Sequence, residues 1–233
     1  MKPAEDGAFE TFEAAAAPLE AELADTQSDR RAADTRGHPA TSRFIKRSMD
    51  LVLALPLALL FCPIFVLIGI AIKLDSPGPV LFRQSRHGRG MRRFTIFKFR
   101  SLRHRVPDPH GQYRMLEHDP RITRVGAFLR RTSLDELPQL FNVIEGSMSL
   151  VGPRPLVEWE SRASLQTHPE RFEVKPGITG LCQIRFRNWG EVGPRWDCDV
   201  EYVQNWSPLL DLYILLKTPG CVLRREKIYP SAS

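Results

Sequence analysis

The sequence predicts a monotopic α+β membrane protein: a helix-rich cytosolic domain with a few short strands, anchored by a re-entrant membrane helix that is broken at a proline. Three observations lead to this prediction. Residues 51–72 form an apolar run of 22 residues without a single charge, which is the length of a membrane helix. Two prolines, Pro56 and Pro63, interrupt that run. The polar sequence that follows alternates between helical spacing and short strand-like stretches.

Pro63 predicts a bend in the middle of the apolar run, because a proline inside a helix cannot donate the hydrogen bond to the carbonyl four residues earlier. Each half then spans about 15–18 Å, near half of a ~30 Å hydrocarbon core. Cations flank the run on both sides, which disfavours crossing. A hairpin over residues 43–75 is expected, with a further break at Pro56. A continuous spanning helix and a buried core helix are the alternatives.

Composition sets the remaining boundaries. Residues 1–42 are rich in Ala, acids, Thr and Ser, which predicts a disordered or loosely helical tail and no signal peptide. Residues 76–225 are expected to form the cytosolic domain, and residues 226–233 a short tail. Four cysteines without C-x-x-C spacing and six scattered histidines indicate neither a zinc site nor a disulfide framework, and they are typical of a reducing compartment.

The positive charge is concentrated in one segment. Residues 80–105 contain nine Lys and Arg residues and no acid, which predicts an anionic partner: nucleic acid, anionic lipid or a phosphorylated small molecule. Strand-like stretches on both sides of a glycine-rich turn predict a basic hairpin, with Lys98 and Arg100 on one face of its second strand. A solvated edge hairpin is the ordinary structural explanation for any one of these cations.

The octet SLDELPQL, residues 133–140, places two acids inside an apolar frame. Ser133 followed three residues later by Glu136 fits a capping box, whereas Pro138 in a first helical turn would make Asp135 the N-cap. Both registers place Asp135 at a helix N-terminus, where backbone N–H groups also attract phosphate. The octet by itself favours helix capping and leaves catalysis open.

Two basic loops lie further along the chain. Arg154 stands between two prolines in GPRP, so its guanidinium loses less entropy on meeting a phosphate or a carboxylate. Lys175 opens KPGITG, in which the Pro-Gly pair predicts a type II turn beside exposed backbone N–H groups. Each loop also has an ordinary structural explanation, as a carboxylate-pairing arginine and a common turn.

Periodicity predicts the other elements of the domain. Helical spacing indicates a helix between residues 121 and 146 that ends at Gly146, a second over about 156–168, and a final amphipathic stretch over 200–223. The stretch LCQI, which begins at Leu181, is strand-like.

Five segments in order carry a resemblance to a known family: KRSMD, KLDSPGPVLFRQSRHG, KFRS, DPRITRVGAFLRRTSLDELPQLFNVIEGSMSLVGPRP and KPGITGLCQI. Together they resemble the bacterial sugar transferases known as monotopic phosphoglycosyl transferases, over about residues 43–225. The resemblance implies transfer of a sugar 1-phosphate from a UDP-sugar to polyprenyl (undecaprenyl) phosphate, giving UMP and a polyprenyl diphosphate sugar. It also implies that this is the first membrane step of polysaccharide or glycoconjugate assembly, at the cytoplasmic face of the bacterial inner membrane.

The same resemblance implies roles for single residues. Asp135 would be the nucleophile that forms a phosphosugar-enzyme intermediate, and Glu136 would support it. Both carboxylates would hold Mg²⁺, which prefers one or two carboxylates plus phosphate oxygens and water. The residues expected to bind substrate are Arg154, Lys175, Lys98 and Arg100.

At the membrane, the resemblance implies that Lys46 and Arg47 contact lipid headgroups. It also implies that the helix bends at Cys62 and Pro63, where relatives commonly have Ser-Pro. The expected partners are a UDP-sugar, polyprenyl phosphate and anionic lipid. Nucleic acid is not expected, and a homo-oligomer is left open.

Two other functions are alternatives to transfer. A non-catalytic membrane adaptor would use its cations to hold anionic lipid or nucleic acid, with the two acids as helix caps. A hydrolase would cleave UDP-sugars with water and would need no lipid acceptor. The sugar itself does not follow from the sequence, because discrimination among hexoses depends on a few hydrogen bonds in a pocket.

Overall fold

The computed structural model describes residues 40–104, 119–186 and 192–223. The predicted tails lie outside these ranges, apart from residues 40–42, which begin the first helix. Apart from residues 40–43 at the start of the first helix, the described elements belong to a unit that spans residues 44–233.

Helix α1 spans Ala40–Leu60 and helix α2 spans Cys62–Asp75, with a bend of 56° between them. Pro63 lies in the first turn of α2, where its missing N–H removes no bond within that helix. The predicted break at this proline is confirmed. Pro56 lies inside α1, and the helix continues past it, so the predicted second break is wrong. One proline removes one hydrogen bond, and the neighbouring turns of α1 keep theirs.

No single helix in the described ranges is long and apolar enough to cross a bilayer, whereas α1 and α2 together meet that test as one bent pair. Large apolar side chains on the pair face outward, which marks it as an interaction surface. They include Leu55, Leu59, Leu60, Val66, Leu67, Ile70 and Leu74.

Strands β1, Leu81–His87, and β2, Arg93–Phe99, form the predicted basic hairpin. The strands are antiparallel, with Leu81 opposite Phe99 at the open end. Their turn contains Gly90 at φ 61°, a left-handed conformation that glycine adopts without steric strain.

The predicted helix between residues 121 and 146 is divided. Its pieces are helix α3 (Arg124–Thr132), a 3₁₀ turn (Leu134–Glu136) and helix α4 (Gln139–Glu145). Thr123 starts α3 by accepting a hydrogen bond from the Gly126 N–H at 2.9 Å. Gly146 ends α4 at φ 100°, so the predicted end is confirmed.

Helix capping does not explain the two acids of the octet. Ser133 adopts a left-handed conformation at φ 57°, ends α3, and makes no side-chain capping hydrogen bond. Pro138 precedes α4, and no side chain caps that helix. The capping interpretation is wrong, because the chain turns at Ser133 instead of starting an α-helix there.

A second, parallel sheet pairs β3, Ser149–Val151, with β4, Gly177–Thr179. The remaining helices of the described part are α5 (Glu158–Thr167), α6 (Leu181–Phe186), α7 (Val192–Gln204) and α8 (Pro208–Leu223). Helix α5 confirms the helix predicted over about 156–168. This helix-rich arrangement with short strands is compatible with the predicted α+β class.

Two predictions in the last part of the chain are wrong. The stretch LCQI is helical, since it lies in α6 and the Ile184 N–H donates to the Gly180 carbonyl at 3.1 Å. A short apolar run does not distinguish a strand from a buried helix. The amphipathic stretch over 200–223 belongs to two helices, because the Ser207 hydroxyl accepts a hydrogen bond from the Leu210 N–H at 3.1 Å and starts α8.

The main core joins α1 to the rest of the unit. Ala54 of α1 is fully buried among side chains of α4, β3, α7 and α8. Its largest buried neighbours in this cluster include Tyr202, Met148, Val143 and Ile214. The candidate site described next lies beside this core.

Candidate active site

The 3₁₀ turn that carries the two acids faces β2 and the GPRP loop. Glu136 Oε1 accepts hydrogen bonds from Lys98 Nζ at 2.7 Å and from Arg154 Nη2 at 3.3 Å. Asp135 immediately precedes Glu136, and both cations act on it electrostatically. The structure therefore brings together four residues that the sequence singled out in three separate segments.

Backbone packing holds the acids against the basic hairpin. Asn142 of α4 accepts a hydrogen bond from the Phe97 N–H at 3.0 Å and donates to the Thr95 carbonyl at 2.8 Å, which ties α4 to β2. Gly126 lets α3 approach the chain that follows β2, because a Cβ here would lie 2.0 Å from the Ser101 carbonyl oxygen. Sequence reasoning did not single out Asn142, since a polar residue in a helix has no distinguishing pattern.

The loop that carries Arg154 is braced on both sides. The Gly177 N–H donates to the Pro153 carbonyl at 2.9 Å, and Arg171 Nη2 donates to the Arg154 carbonyl at 3.0 Å. Gly152 packs so closely that a Cβ there would lie 2.5 Å from the Lys175 carbonyl oxygen. Arg154 thus projects toward Glu136 from a backbone with little freedom to move.

The two acids differ sharply in their electrostatic surroundings. Burial raises the pKa of Asp135 to about 6, with Lys98, Arg130 and Arg154 opposing the shift and the Glu136 charge adding to it. Burial acts to raise the pKa of Glu136 as well, but Lys98 and Arg154 outweigh it and hold that pKa at about 2. The pKa values of the two neighbouring acids are therefore shifted in opposite directions.

Asp135 makes no hydrogen bond or ion pair with any part of the chain that the structure describes, although it is only 9% exposed. A buried carboxylate without partners keeps its oxygens free, and burial raises its energy in the charged form. Such a group is suited to attack an electrophile or to bind a cation.

A small cleft opens beside the pair. It is lined by Arg86, Ile96, Lys98, Glu136, Gln139, Arg154, Pro155 and Gly177. Sequence reasoning missed Arg86 and Gln139 as lining residues. The run of nine cations identified the segment that contains Arg86, but the sequence does not show which cation faces the acids.

Arg100, which is predicted to bind substrate, is not among the residues that line the cleft. Its guanidinium donates to the Ser76 carbonyl at 2.6 Å, to the Ile72 carbonyl at 3.3 Å and to the Pro77 carbonyl. These carbonyls lie at and just beyond the end of α2, so Arg100 satisfies a helix C-terminus. Lys98 and Arg100 have separate tasks because β2 ends between them at Phe99.

Lys175 also lies apart from the acids. Burial lowers its pKa, and Arg47 and Arg89 lower it further while Asp50 opposes them. A Cβ on Gly146 would be 3.5 Å from Lys175 Nζ and 3.5 Å from the Arg47 guanidinium. The side chain therefore faces the end of α4 and the start of α1, whereas Gly177 of the same segment lines the cleft.

Lys46 and Arg47, which are predicted to contact lipid headgroups, donate hydrogen bonds to the protein itself. Lys46 Nζ donates to the Val151 carbonyl at 2.8 Å and to Asp211 Oδ2 at 2.6 Å. Arg47 donates to two carbonyls at the end of α4, at 2.5 and 2.7 Å. Cys62 is exposed at the bend, next to Pro63.

The donor groups fit a magnesium ion in a restricted way. No group of three or more His, Cys, Asp or Glu side chains in the described ranges is arranged to hold a metal ion. Glu136 Oε1 is occupied by two cations, whereas Asp135 is free. One free carboxylate suits Mg²⁺ that is otherwise held by substrate phosphate and water. Asp135 therefore fits the ion better than the predicted pair of carboxylates.

A free acid lies beside a carboxylate that two cations clamp, and cationic side chains of this kind are also suited to bind phosphate groups. The chain matches the bacterial sugar transferase family over residues 41–225. It belongs to that family.

The chain is also similar to proteins of known name. The chain is 42% identical over 192 residues to the UDP-glucose:undecaprenyl-phosphate glucose-1-phosphate transferase of Caulobacter vibrioides, covering 79% of this chain and 72% of the relative. It is 43% identical over 196 residues to the transferase of that name from Xanthomonas campestris, covering 79% of this chain and 40% of the relative. It is 39% identical to the exopolysaccharide production protein PSS of Rhizobium leguminosarum, covering 78% of this chain and 97% of the relative. The chain therefore spans less than half of one such relative and nearly all of another.

Proposed function

We propose that this protein transfers a sugar 1-phosphate from a UDP-sugar to polyprenyl phosphate and releases UMP. The names of its relatives support this reaction. The observation that carries the proposal for this chain is the unpartnered, buried Asp135 beside Glu136, which Lys98 and Arg154 clamp.

The reaction runs in two displacements. In the first, an Asp135 carboxylate oxygen attacks the phosphorus that bears the sugar, and the bond from that phosphorus to the UMP oxygen breaks. UMP leaves with the electron pair, and an aspartyl phosphosugar remains. In the second, a phosphate oxygen of polyprenyl phosphate attacks the same phosphorus, so that polyprenyl diphosphate sugar forms and the Asp135 carboxylate is released.

The surrounding residues make this attack feasible. A carboxylate that approaches a diphosphate is repelled by its charge, and cations reduce that repulsion. Lys98 and Arg154 lie close enough to act on Asp135, while Glu136 holds them in place. Asp135 would also hold Mg²⁺, which when bound supplies charge neutralisation at the phosphate oxygens.

The covalent step is tested by intact-protein mass spectrometry. Purified protein with Mg²⁺ and a panel of UDP-sugars, but without lipid acceptor, is expected to gain the mass of one sugar phosphate and to release one equivalent of UMP. Peptide mapping is expected to place the adduct on Asp135. Asp135→Asn abolishes the adduct because an amide is a far poorer nucleophile, and Glu136→Gln reduces it.

The matched control is Asp197→Asn, which neutralises an exposed carboxylate outside the cleft and leaves the adduct unchanged. An adduct on another residue contradicts the assignment of Asp135. Continuous UMP release without acceptor shows a hydrolase instead of a transferase. The sugar in the panel that yields the adduct identifies the donor.

We also propose that α1 and α2 enter and leave the bacterial inner membrane on its cytoplasmic side. The bend of 56° and the cationic flanks support a re-entrant pair. Single cysteines at the exposed positions Thr41 and Pro77, in a background without the four native cysteines, are expected to react with a membrane-impermeant thiol reagent from the same face. Labelling from opposite faces contradicts the re-entrant arrangement.

A further inference from the structure

Arg86 is the cation in the cleft without an acidic partner. Three cations line the cleft, and two of them, Lys98 and Arg154, bind Glu136. Arg86 makes no ion pair with any residue in the described ranges. Its Nη1 donates to the Pro155 carbonyl at 3.2 Å, and its Nη2 donates to Gln84 Oε1 at 2.7 Å.

One N–H donor of this guanidinium has no acceptor among the described residues. The Nε of Arg86 is buried and has no hydrogen-bond partner within the described part of the chain. A buried N–H without an acceptor costs free energy, and an N–H on a charged group costs more than a neutral one. A ligand that supplies an acceptor oxygen would remove that cost.

The direction of the side chain follows from the strand. Arg86 lies opposite Phe94 in the hairpin, and Arg83 lies three positions earlier on the same strand. Successive side chains of a strand point to opposite faces, so these two arginines face opposite sides of the hairpin. Arg83 is exposed and packs over the Phe97 ring at 5.7 Å, whereas Arg86 faces the cleft.

The residues that line the cleft also carry more positive than negative charge. Burial and the Arg154 charge together lower the pKa of Arg86 to about 10, with the charges of Glu160 and Glu136 opposing the shift, so Arg86 stays charged at pH 7. Among the residues that line the cleft, Arg86, Lys98 and Arg154 are cations, and Glu136 is the carboxylate. The surplus positive charge favours an anion, and the fork of a guanidinium matches the oxygens of a phosphate.

We propose that Arg86 is a substrate-binding residue that contacts the diphosphate of the sugar-nucleotide donor. This inference rests on the proposed transferase function. The Pro155 carbonyl and the Gln84 amide hold the guanidinium in position, and its free Nε donates to a phosphate oxygen. The donor binds in the first displacement, before the lipid acceptor, so Arg86 acts in the first half-reaction.

The test compares Arg86→Gln, Arg86→Lys and the control Arg83→Gln in the full chain, with adduct formation measured at varied UDP-sugar concentration. We expect Arg86→Gln to raise the KM for the UDP-sugar at least ten-fold and Arg86→Lys to raise it less, because lysine keeps the charge but loses the fork. We expect Arg83→Gln to leave KM unchanged. Melting temperatures report on the fold of each variant.

A second measurement separates donor from acceptor. Arg86→Gln is expected to leave the KM for polyprenyl phosphate within about two-fold of the wild-type value in the second half-reaction, started from preformed adduct. If only the acceptor KM rises, or if Arg86→Gln and Arg83→Gln behave alike, the assignment to the donor is overturned. The assignment is also overturned if Arg86→Gln has a much lower melting temperature while Arg86→Lys has wild-type KM values. Arg86 would then stabilise the GPRP loop instead of binding the donor.

A third measurement does not depend on turnover. Inorganic pyrophosphate is expected to raise the melting temperature of the wild type and of Arg83→Gln, and to have a much smaller effect on Arg86→Gln. Wild-type protein that forms no adduct with any UDP-sugar contradicts the proposed function. Equal stabilisation of all three proteins by pyrophosphate contradicts the role of Arg86 alone.

Discussion

Asp135 and Asp211 are both buried carboxylates, at 9% and 2% exposure, and their surroundings are opposite. Asp211 accepts hydrogen bonds from Lys46 Nζ at 2.6 Å, Tyr202 Oη at 2.8 Å and Trp206 Nε1 at 3.2 Å. Asp135 accepts none from the described residues, and its pKa is raised to about 6. A buried acid with all its partners stabilises the fold, whereas a buried acid without partners is available for chemistry.

The largest expected effect is at the partnered acid. Asp211→Asn leaves Lys46 in a partly buried place without its ion-paired carboxylate, which is expected to lower the free energy of unfolding by about 3–5 kcal/mol. Unfolding in detergent, followed by circular dichroism, measures the change. The exposed Asp197→Asn is the control and changes stability by less than about 1 kcal/mol.

A double variant sharpens that result. Lys46→Met with Asp211→Asn is expected to cost less than the sum of the two single changes, because neither partner is then left as an uncompensated charge. Strict additivity would show that the contact between Lys46 and Asp211 contributes nothing of its own.

Substitution of the unpartnered acid, Asp135, is expected to change the free energy of unfolding in the opposite direction. The pKa of Asp135 is raised from 3.8 to about 6, so its neutral form suits the fold, and the stability that this group contributes is lost as the pH rises through about 6. Asp135→Asn mimics the neutral form. It is expected to raise the free energy of unfolding by about 2–3 kcal/mol at pH 8 and by almost nothing below pH 4. A less stable variant at pH 8 contradicts this account.

The pH dependence of the first half-reaction gives a third effect. Adduct formation is expected to fall as the pH drops through about 6, because protonated Asp135 is not a nucleophile. Glu136→Gln removes a neighbouring negative charge and should shift this acidic limb, the fall in adduct formation, to lower pH. Lys98→Met removes a positive charge and should shift it to higher pH. Shifts in one common direction would mean that Asp135 does not set the limb.

The smallest expected changes in stability concern two serines, Ser207 shortly before Asp211 and Ser133 shortly before Asp135. Ser207 caps α8, so Ser207→Ala is expected to cost about 1 kcal/mol of stability. Ser133 caps nothing and is held at φ 57°, so Ser133→Gly is expected to gain about 0.5 kcal/mol. Melting temperatures of the two variants check both signs, and a loss on Ser133→Gly would show that the left-handed turn is not strained.

Local patterns predicted much of the fold. The bend at Pro63, the basic hairpin, the end of α4 at Gly146 and helix α5 all follow from short-range rules about proline, strand alternation, glycine and helical spacing. The order of the motifs also predicted the family, which the match over residues 41–225 confirms. Helix α6 was missed because a short apolar run fits a strand and a helix equally well.

The tasks of individual cations were much less predictable. Lys98 binds Glu136, whereas Arg100, two residues later, binds carbonyls at the end of α2. Lys46 is predicted to contact lipid headgroups, and in the structure it binds Asp211. In each case the sequence identified a cation that needs an anion or a carbonyl, but several partners were equally compatible with it.

The sequence by itself determined the apolar run and its proline, the basic hairpin, the paired acids and the order of the motifs. Those are properties of neighbouring residues, and propensity, hydropathy and hydrogen-bonding capacity act over that range. Only the tertiary structure decided that Glu136 binds Lys98 and Arg154 and that Asp211 binds Lys46. It also decided that the Asp135 carboxylate and the Nε of Arg86 have no hydrogen-bond partner among the described residues. Segments 38 and 165 residues apart meet in these contacts, and burial and charge act through space, so a carboxylate takes its role from the groups that surround it.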